Sequence, residues 1–209
     1  MKYKIGYIDE EPAQVAKYQR ELRENFEVIG YDIPKGLPIE NLIDQVYKSD
    51  IDLLLIDYLM RNKGQLTYNG DEVAREFEKI KPRFPILIFT NNQDDAFPAV
   101  DNPNIIYEKE KVKNLPHFTA ILNKNIFLYK NYISERKNVI AELLEKSKKE
   151  GLTSEERHIL LDNELELKGL DKRLVEVPLQ LLDLNNIENL SKKADEAEAF
   201  LKSLLNDNS

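Results

Sequence analysis

Short apolar runs alternate with amphipathic segments from the start of the chain to about residue 113. Five runs have the apolar, β-branched and aromatic content of strands: YKIGYI, FEVIGYDI, IDLLLID, FPILIFT and NIIYEK. The third is apolar on both faces from Leu53 to Ile56, as expected of a central parallel strand that is covered on each side by helices. Strands that alternate with helices predict a five-stranded, parallel, doubly wound α/β sheet.

The segments between these runs have the period and the start signals of helices. Pro12 fits the first turn of a helix that follows the first strand. Pro38 opens PIENLIDQVYKS, in which four apolar residues fall on one helical face: Ile39, Leu42, Ile43 and Val46. A third helix, DEVAREFEKI, follows the Asn69-Gly70 pair. These positions place one helix after each of the first three strands.

From residue 114 onward the pattern has a helical period throughout. An apolar stripe predicts one long helix to about Lys149, Gly151 is a candidate C-terminal cap, and Thr153 or Ser154 starts the next helix. Leucines then repeat at intervals of seven, at Leu160, Leu167, Leu174 and Leu181. Residues 187–204 have the alternating spacing of a coiled-coil seam. We therefore predict two domains: residues 1–120, and an all-α, helical and coiled-coil extension over 121–209 that ends in a helical hairpin.

The two parts of this helical region carry opposite net charges. Residues 113–149 contain eight basic residues against three acidic ones, whereas residues 150–209 contain seven basic residues against fourteen acidic ones. Opposite charges of this kind favour antiparallel association, either within the chain or between subunits. Self-association or a protein partner for residues 121–209 is the corresponding prediction.

Composition excludes several classes of protein. The 209 residues carry a formal net charge of −8, which disfavours nucleic acid as a partner. The chain has no cysteine, so disulfides and thiol chemistry are excluded, and the cytoplasm is the expected compartment. No apolar run is long enough to span a bilayer, and we expect no membrane association.

Chemically useful side chains stand at the ends of the predicted strands. They are Asp9, Glu10, Asp57, Thr90 and Lys109. Since ligands of doubly wound sheets bind at the carboxyl ends of the strands, we expect all five to converge on one edge. Clustered carboxylates at such an edge suit Mg²⁺, a hard cation that takes oxygen ligands. A lysine and a hydroxyl beside them suit a group with more negative charge than a carboxylate, such as a phosphoryl group.

The motifs IDEEP, LLLID, LIFT and IIYEK occur in the order and approximate spacing of receiver domains of two-component response regulators. Over residues 1 to about 120 the chain resembles that family, whose sheet is flavodoxin-like. The resemblance implies that Asp57 accepts a phosphoryl group from a histidine kinase. It also implies that Mg²⁺ is held by Asp9, Glu10, Asp57 and the main-chain carbonyl of Leu59. In the same way, Thr90 and Lys109 are expected to contact the phosphoryl oxygens.

The chain also departs from the pattern of the family at several positions. Asn91 stands where a small residue is usual, and Ile106 stands where an aromatic residue is usual, with Tyr107 one place away. The segment from Asp57 to Gly70 is longer than usual and is a candidate lid or partner contact. NNQDDAFPAVDNPN contains two prolines and predicts a poor fourth helix.

Simpler interpretations remain open beside the phosphoacceptor. Asp9 or Glu11 could cap the helix that begins near Pro12, and Thr90 could cap the segment NQDDAF. A pseudo-receiver adaptor, never phosphorylated, is the main alternative function, and an enzyme is not the expected class. An aspartyl hydrolase ranks lower because Leu59 occupies the position of the second acid that such enzymes use.

Overall fold

The computed structural model describes residues 2–61, 64–91 and 93–174. Eleven helices and strands follow in chain order: β1 Tyr3–Ile8, α1 Pro12–Leu22, β2 Phe26–Gly30, α2 Ile39–Lys48, β3 Leu53–Asp57, α3 Gly70–Ile80, β4 Ile86–Thr90, α4 Gln93–Ala96, β5 Ile106–Glu108, α5 Leu115–Glu150 and α6 Ser154–Leu170. Short 3-10 turns precede and follow β5, at Pro103–Ile105 and Lys109–Lys113.

The five strands form one parallel sheet in the order β2-β1-β3-β4-β5. This order is that of the flavodoxin-like doubly wound folds. The predicted five-stranded parallel sheet is therefore confirmed, with β2 ending at Gly30 and β5 at Glu108, earlier than the apolar runs suggest. The register pairs Ile8 with Ile56 and Thr90 with Glu108, so the strand ends lie side by side at one edge.

Alternation of side chains divides the core into two layers, even though β3 and β4 are buried throughout. On one face, residues such as Leu54 and Ile56 pack under α2 and α3. On the other, Leu53 and Leu55 pack under α1 and the first turns of α5, where Phe118 and Leu122 are fully buried. This two-sided burial explains why the central strands read as continuous apolar runs.

The long helix predicted after residue 114 is present as one continuous element. It runs from the sheet layer to Glu150, so the proposed boundary at residue 120 lies inside α5. The chain then turns at Gly151, which has a φ of 79°, and Thr153 caps α6 through a reciprocal capping box with Glu156. Both cap predictions agree with the structure.

α5 and α6 form an antiparallel hairpin held by opposite charges. Arg136 lies 2.5 Å from Glu166, and Lys146 lies 2.6 Å from Glu156. The pairing partner in α6 comes earlier in the sequence as the residue in α5 comes later, so the two helices run in opposite directions. Within the described residues, acidic residues of the second segment thus pair with basic residues of the first.

One prediction for the C-terminal segment was wrong. The seven-residue repeat of leucines implies a helix through Leu174, but α6 ends at Leu170 and the backbone turns at Asp171. Leu181 and the predicted coiled-coil seam at 187–204 lie outside the described residues. The described residues form a compact unit that ends at Leu174. Among them, none of the helices has both the length and the apolar content needed to cross a bilayer.

Candidate functional site

The five polar residues singled out in the sequence lie at the carboxyl edge of the sheet. Asp57 and Thr90 are the last residues of β3 and β4, whereas Asp9 and Lys109 directly follow β1 and β5. A cavity of about 190 Å³ at this edge is lined by Asp9, Glu10, Glu11, Gln14, Asp57, Leu59, Thr90, Asn91 and Lys109. The structure therefore brings all five side chains together, with Leu59 beside them.

The three acids of this cavity form a tight group. Asp9, Glu10 and Asp57 are all buried, and each offers a carboxylate oxygen within 4.8 Å of the others. Ionised carboxylates at such separations repel one another. A donor set made of carboxylate oxygens fits Mg²⁺. We refer to Asp9, Glu10 and Asp57 as the acidic cluster.

Lys109 supplies positive charge to the acidic cluster. Its Nζ lies 2.5 Å from Asp57 Oδ1 and 3.7 Å from Asp9 Oδ2, and its side chain is mostly shielded from solvent. Burial raises the pKa of Asp57 above its ordinary value, and the neighbouring charge of Asp9 raises it further. Lys109 and a hydrogen bond from the Leu59 backbone only partly oppose this rise. Lys109 therefore lowers the pKa of Asp57 without returning it to its ordinary value.

Asp9 is held by hydrogen bonds on both of its oxygens. Oδ1 accepts the Glu11 backbone N–H at 2.8 Å, and Oδ2 accepts the Tyr7 hydroxyl at 2.5 Å. Burial, together with the charge of Asp9, raises the pKa of Tyr7 and keeps this hydroxyl protonated as a donor. Glu11 occupies the N-cap position of α1 but makes no side-chain capping bond. The capping alternative is thus correct only in that Asp9 accepts the Glu11 N–H.

Gly70 comes unusually close to the backbone of Asp57. A Cβ at this position would overlap the Asp57 carbonyl oxygen and lie 3.0 Å from a side-chain carbon of Ile56. The close approach is fixed by Asn69, which caps α3 in a capping box with Glu72, and by the Gly70 N–H, which donates to the Tyr58 carbonyl at 3.0 Å. α3 therefore begins directly against the proposed phosphoacceptor.

The structure shows where the residues that depart from the receiver pattern lie. Asn91 lines the cavity. Ile106 packs on the α2 and α3 face of the sheet, while Tyr107 points to the other face and stacks on Phe118 at 5.0 Å. The face where an aromatic residue is usual thus holds an isoleucine. α4 is a single turn, in agreement with the prediction of a poor fourth helix.

The long segment after Asp57 is anchored to the connection between β2 and α2. Gln65 donates to the Ile33 carbonyl at 2.8 Å, and Tyr68 donates to the Leu37 carbonyl at 3.0 Å. Met60 is fully buried, and Tyr68 is nearly so. These contacts attach the described part of the segment to its neighbour.

A second buried polar group lies at the opposite edge of the sheet, and sequence reasoning missed it. Asp171, just after α6, accepts hydrogen bonds from Tyr47 at 3.0 Å and Arg173 at 2.8 Å, and it pairs with Lys81 at 3.4 Å. Burial raises the pKa of Asp171, but these donors outweigh it and lower the pKa below its usual value. We refer to these four residues as the Asp171 cluster. Tyr47 and Lys81 lie too far from Asp171 in sequence for any local pattern to reveal the cluster.

Neither histidine contributes a buried group. His117, near the start of α5, and His158, in α6, are both exposed.

No protein-family model matches the sequence, and no curated protein matches it either. Among solved structures, the anti-anti-sigma factor PhyR from Bartonella quintana is 15% identical at a TM-score of 0.47, over 65% of this chain and 51% of that one. A response regulator receiver protein from Sinorhizobium medicae is 19% identical at a TM-score of 0.45, over 59% of this chain and 97% of that one.

A third similar chain comes from a structure of the histidine kinase ThkA in complex with the response regulator protein TrrA. It is 22% identical at a TM-score of 0.42, over 58% of this chain and 98% of that one. The strand order β2-β1-β3-β4-β5 gives the N-terminal part of this chain the flavodoxin-like, doubly wound fold, which is also the fold of the receiver domains that its sequence resembles.

Proposed function

We propose that this chain is a response-regulator-like signalling protein that accepts a phosphoryl group on Asp57 and acts through protein association of its helical C-terminal region. The observation that carries the proposal is the shared cavity at the carboxyl edge of the sheet. Asp57, the other two acids of the cluster, Thr90 and Lys109 all line it. These residues are contributed by four different strands or the turns after them, so local capping does not account for their convergence.

The acidic cluster is the proposed site of Mg²⁺. Asp9, Glu10 and Asp57 would hold the ion, and the Leu59 carbonyl is a further candidate ligand because Leu59 lines the same cavity. A bound Mg²⁺ would offset the charge of the acids and of a transferring phosphoryl group. The close grouping of three buried carboxylates at this cavity supports this assignment.

Asp57 is the proposed nucleophile. An oxygen of its ionised carboxylate forms a bond to phosphorus while the bond between phosphorus and the donor breaks, so no side chain is needed as a strong base. Lys109, at 2.5 Å from Asp57 Oδ1, favours the ionised form and is placed to contact phosphoryl oxygens. Thr90, buried at the end of β4, is placed to donate its hydroxyl to the same group.

The helical hairpin is the proposed output. α5 begins in the sheet layer and continues into the hairpin as a single helix, so a shift at its first turns has a rigid path outward. On α6, Leu161 and Leu165 are about half exposed and one turn apart, whereas Leu160 and Leu167 are buried. An apolar pair of this kind suits a protein partner. A histidine kinase is the proposed donor, by analogy with the ThkA and TrrA complex.

Intact-mass spectrometry after incubation with acetyl phosphate and Mg²⁺ tests the phosphoacceptor. We expect a single phosphoryl adduct on the wild-type chain, its loss in Asp57→Asn, and its retention in Asp44→Asn, which alters an exposed aspartate of α2. The same adduct on both variants would mean that Asp57 is not the acceptor. Light scattering with and without beryllofluoride then reports whether the site alters association.

The pseudo-receiver adaptor is the second candidate. The observation in its favour is the Lys109 ammonium, which already occupies Asp57 Oδ1 at 2.5 Å, together with the single-turn α4. If the adaptor proposal is correct, the wild-type chain stays unmodified over a range of phosphodonor and Mg²⁺ concentrations. Its association state is then the same with and without beryllofluoride.

A further inference from the structure

Tyr7 is a buried residue that contacts the acidic cluster, and no sequence motif identifies it. It lies in β1, two residues before Asp9, and it is fully buried. Its hydroxyl donates to Asp9 Oδ2 at 2.5 Å, which makes a short, charge-assisted hydrogen bond. Besides packing in the core, the side chain of Tyr7 therefore makes a polar contact with the acidic cluster.

The ring of Tyr7 is fixed by its neighbours. It packs edge-on against Tyr18 of α1 at 5.1 Å and against Phe89 of β4 at 6.0 Å, within the layer under α1 and α5. Aromatic contacts of this kind restrict the ring to one orientation. The hydroxyl therefore points at Asp9 without any need for the carboxylate to organise it.

The hydrogen bond decides which way the Asp9 carboxylate faces. Glu11 N–H holds Oδ1, Tyr7 holds Oδ2, and Lys109 Nζ stands 3.7 Å from Oδ2. Without the Tyr7 hydroxyl, the strongest electrostatic attraction on Oδ2 among these contacts is the Lys109 ammonium. Rotation of Asp9 toward Lys109 would form an ion pair that competes with a cation for the same oxygen.

We propose that Tyr7 is a positioning residue that holds Asp9 in the orientation required for a divalent cation at the acidic cluster. The proposal rests on the proposed function, because it assumes that the cluster binds Mg²⁺. Groups that bond to metal ligands from behind typically contribute about 10–100-fold in metal affinity. Tyr7→Phe retains the ring and its packing and removes only the hydroxyl.

Isothermal titration of the full chain with MgCl2 measures this effect without any phosphorylation. We expect Tyr7→Phe to weaken Mg²⁺ binding by about 10–100-fold. Tyr18→Phe is the matched control, because it removes a hydroxyl from the adjacent ring and leaves the bond between Tyr7 and Asp9 in place. Equal affinities for the wild-type chain and Tyr7→Phe would overturn the proposal.

A double-mutant cycle separates positioning from a general loss of structure. If Tyr7 acts through Asp9, then adding Tyr7→Phe to Asp9→Asn causes no further loss of affinity. An additional loss of the same size as in the wild-type background would show that the ring hydroxyl acts by another route, and would overturn the proposal.

A crystal structure of the cation-free Tyr7→Phe variant distinguishes failure of this proposal from failure of the proposed function. We expect Asp9 Oδ2 to move toward Lys109, so that the 3.7 Å separation shortens to that of a direct ion pair. If the wild-type chain binds no Mg²⁺, the Mg²⁺ site of the proposed function is contradicted. The crystal structure of the variant still shows whether Tyr7 orients Asp9. An unmoved Asp9 would contradict this role.

Discussion

Buried charge occurs at both ends of the sheet, and the two groups are balanced in opposite ways. At the carboxyl edge, three acids lie close together, and the ammonium of Lys109 pairs with two of them, Asp57 and Asp9. At the amino edge, Asp171 alone is surrounded by the cations Lys81 and Arg173 and by the hydroxyl of Tyr47. Two aspartates at similar burial therefore differ in pKa: that of Asp57 is raised and that of Asp171 is lowered.

The difference in pKa indicates different roles. The Asp171 cluster satisfies its carboxylate with donors from its own surroundings, so it joins the end of α6 to the ends of α2 and α3 without any ligand. The acidic cluster instead groups three buried carboxylates, and burial together with Asp9 raises the pKa of one of them, Asp57. Perturbed carboxylates in a cavity are typical of functional sites, whereas a saturated carboxylate is typical of a structural one. Substitutions at both edges of the sheet test this comparison.

The largest effect is expected at the amino edge. Asp171→Ala leaves the ammonium of Lys81, which is only 7% exposed, without the carboxylate that pairs with it. Breaking a buried ion pair by removing one partner costs about 3–5 kcal/mol of the free energy of unfolding. Urea denaturation measures the loss. The control Asp44→Ala breaks an exposed pair with Lys48 and should cost less than about 0.5 kcal/mol.

Two glycine substitutions test whether the backbone beside Asp57 is as tightly packed as its geometry suggests. Gly70→Ala places a methyl group against the Asp57 carbonyl, and such overpacking costs about 1–3 kcal/mol. Gly169→Ala in α6 meets no atom within 4 Å and should instead stabilise the chain by about 0.5–1 kcal/mol. Thermal unfolding compares the two, and equal shifts in the same direction would disprove the close approach.

The pH dependence of stability should have opposite signs at the two aspartates. The folded pKa of Asp57 is raised above its unfolded value near 3.9, so the unfolded chain loses this proton first as pH rises. Wild-type stability therefore falls between the two pKa values, and the stability of Asp57→Asn relative to the wild type increases from pH 4 to neutral pH. Urea denaturation in EDTA at several pH values measures this smallest effect.

Asp171→Asn provides the contrast for that pH series. Its folded pKa is depressed, so the carboxylate contributes stability above the unfolded pKa and loses it as pH falls through the folded value. The cost of Asp171→Asn should accordingly be full at neutral pH and shrink below about pH 4. The same pH trend in both variants would remove the distinction between the two clusters.

Local patterns predicted much of the molecule correctly. The apolar runs mark every strand, and Gly151 and Thr153 mark the turn between α5 and α6, because backbone preference and burial act on neighbouring residues. The same reasoning failed at Leu174, where the spacing of leucines continues but the helix does not. There the chain turns at Asp171, whose distant partners Tyr47 and Lys81 lie at the ends of α2 and α3.

By itself, the sequence determined the order of strands and helices and placed five polar residues at one edge, since period and strand polarity are local properties. Only the tertiary structure revealed the hydroxyl of Tyr7 on Asp9, the backbone of Asp57 against Gly70, and the partners of Asp171. Tyr47 and Asp171 are 124 positions apart, and no period connects them. Charge balance at a buried site depends on such distant neighbours, and therefore on the packing of the whole sheet.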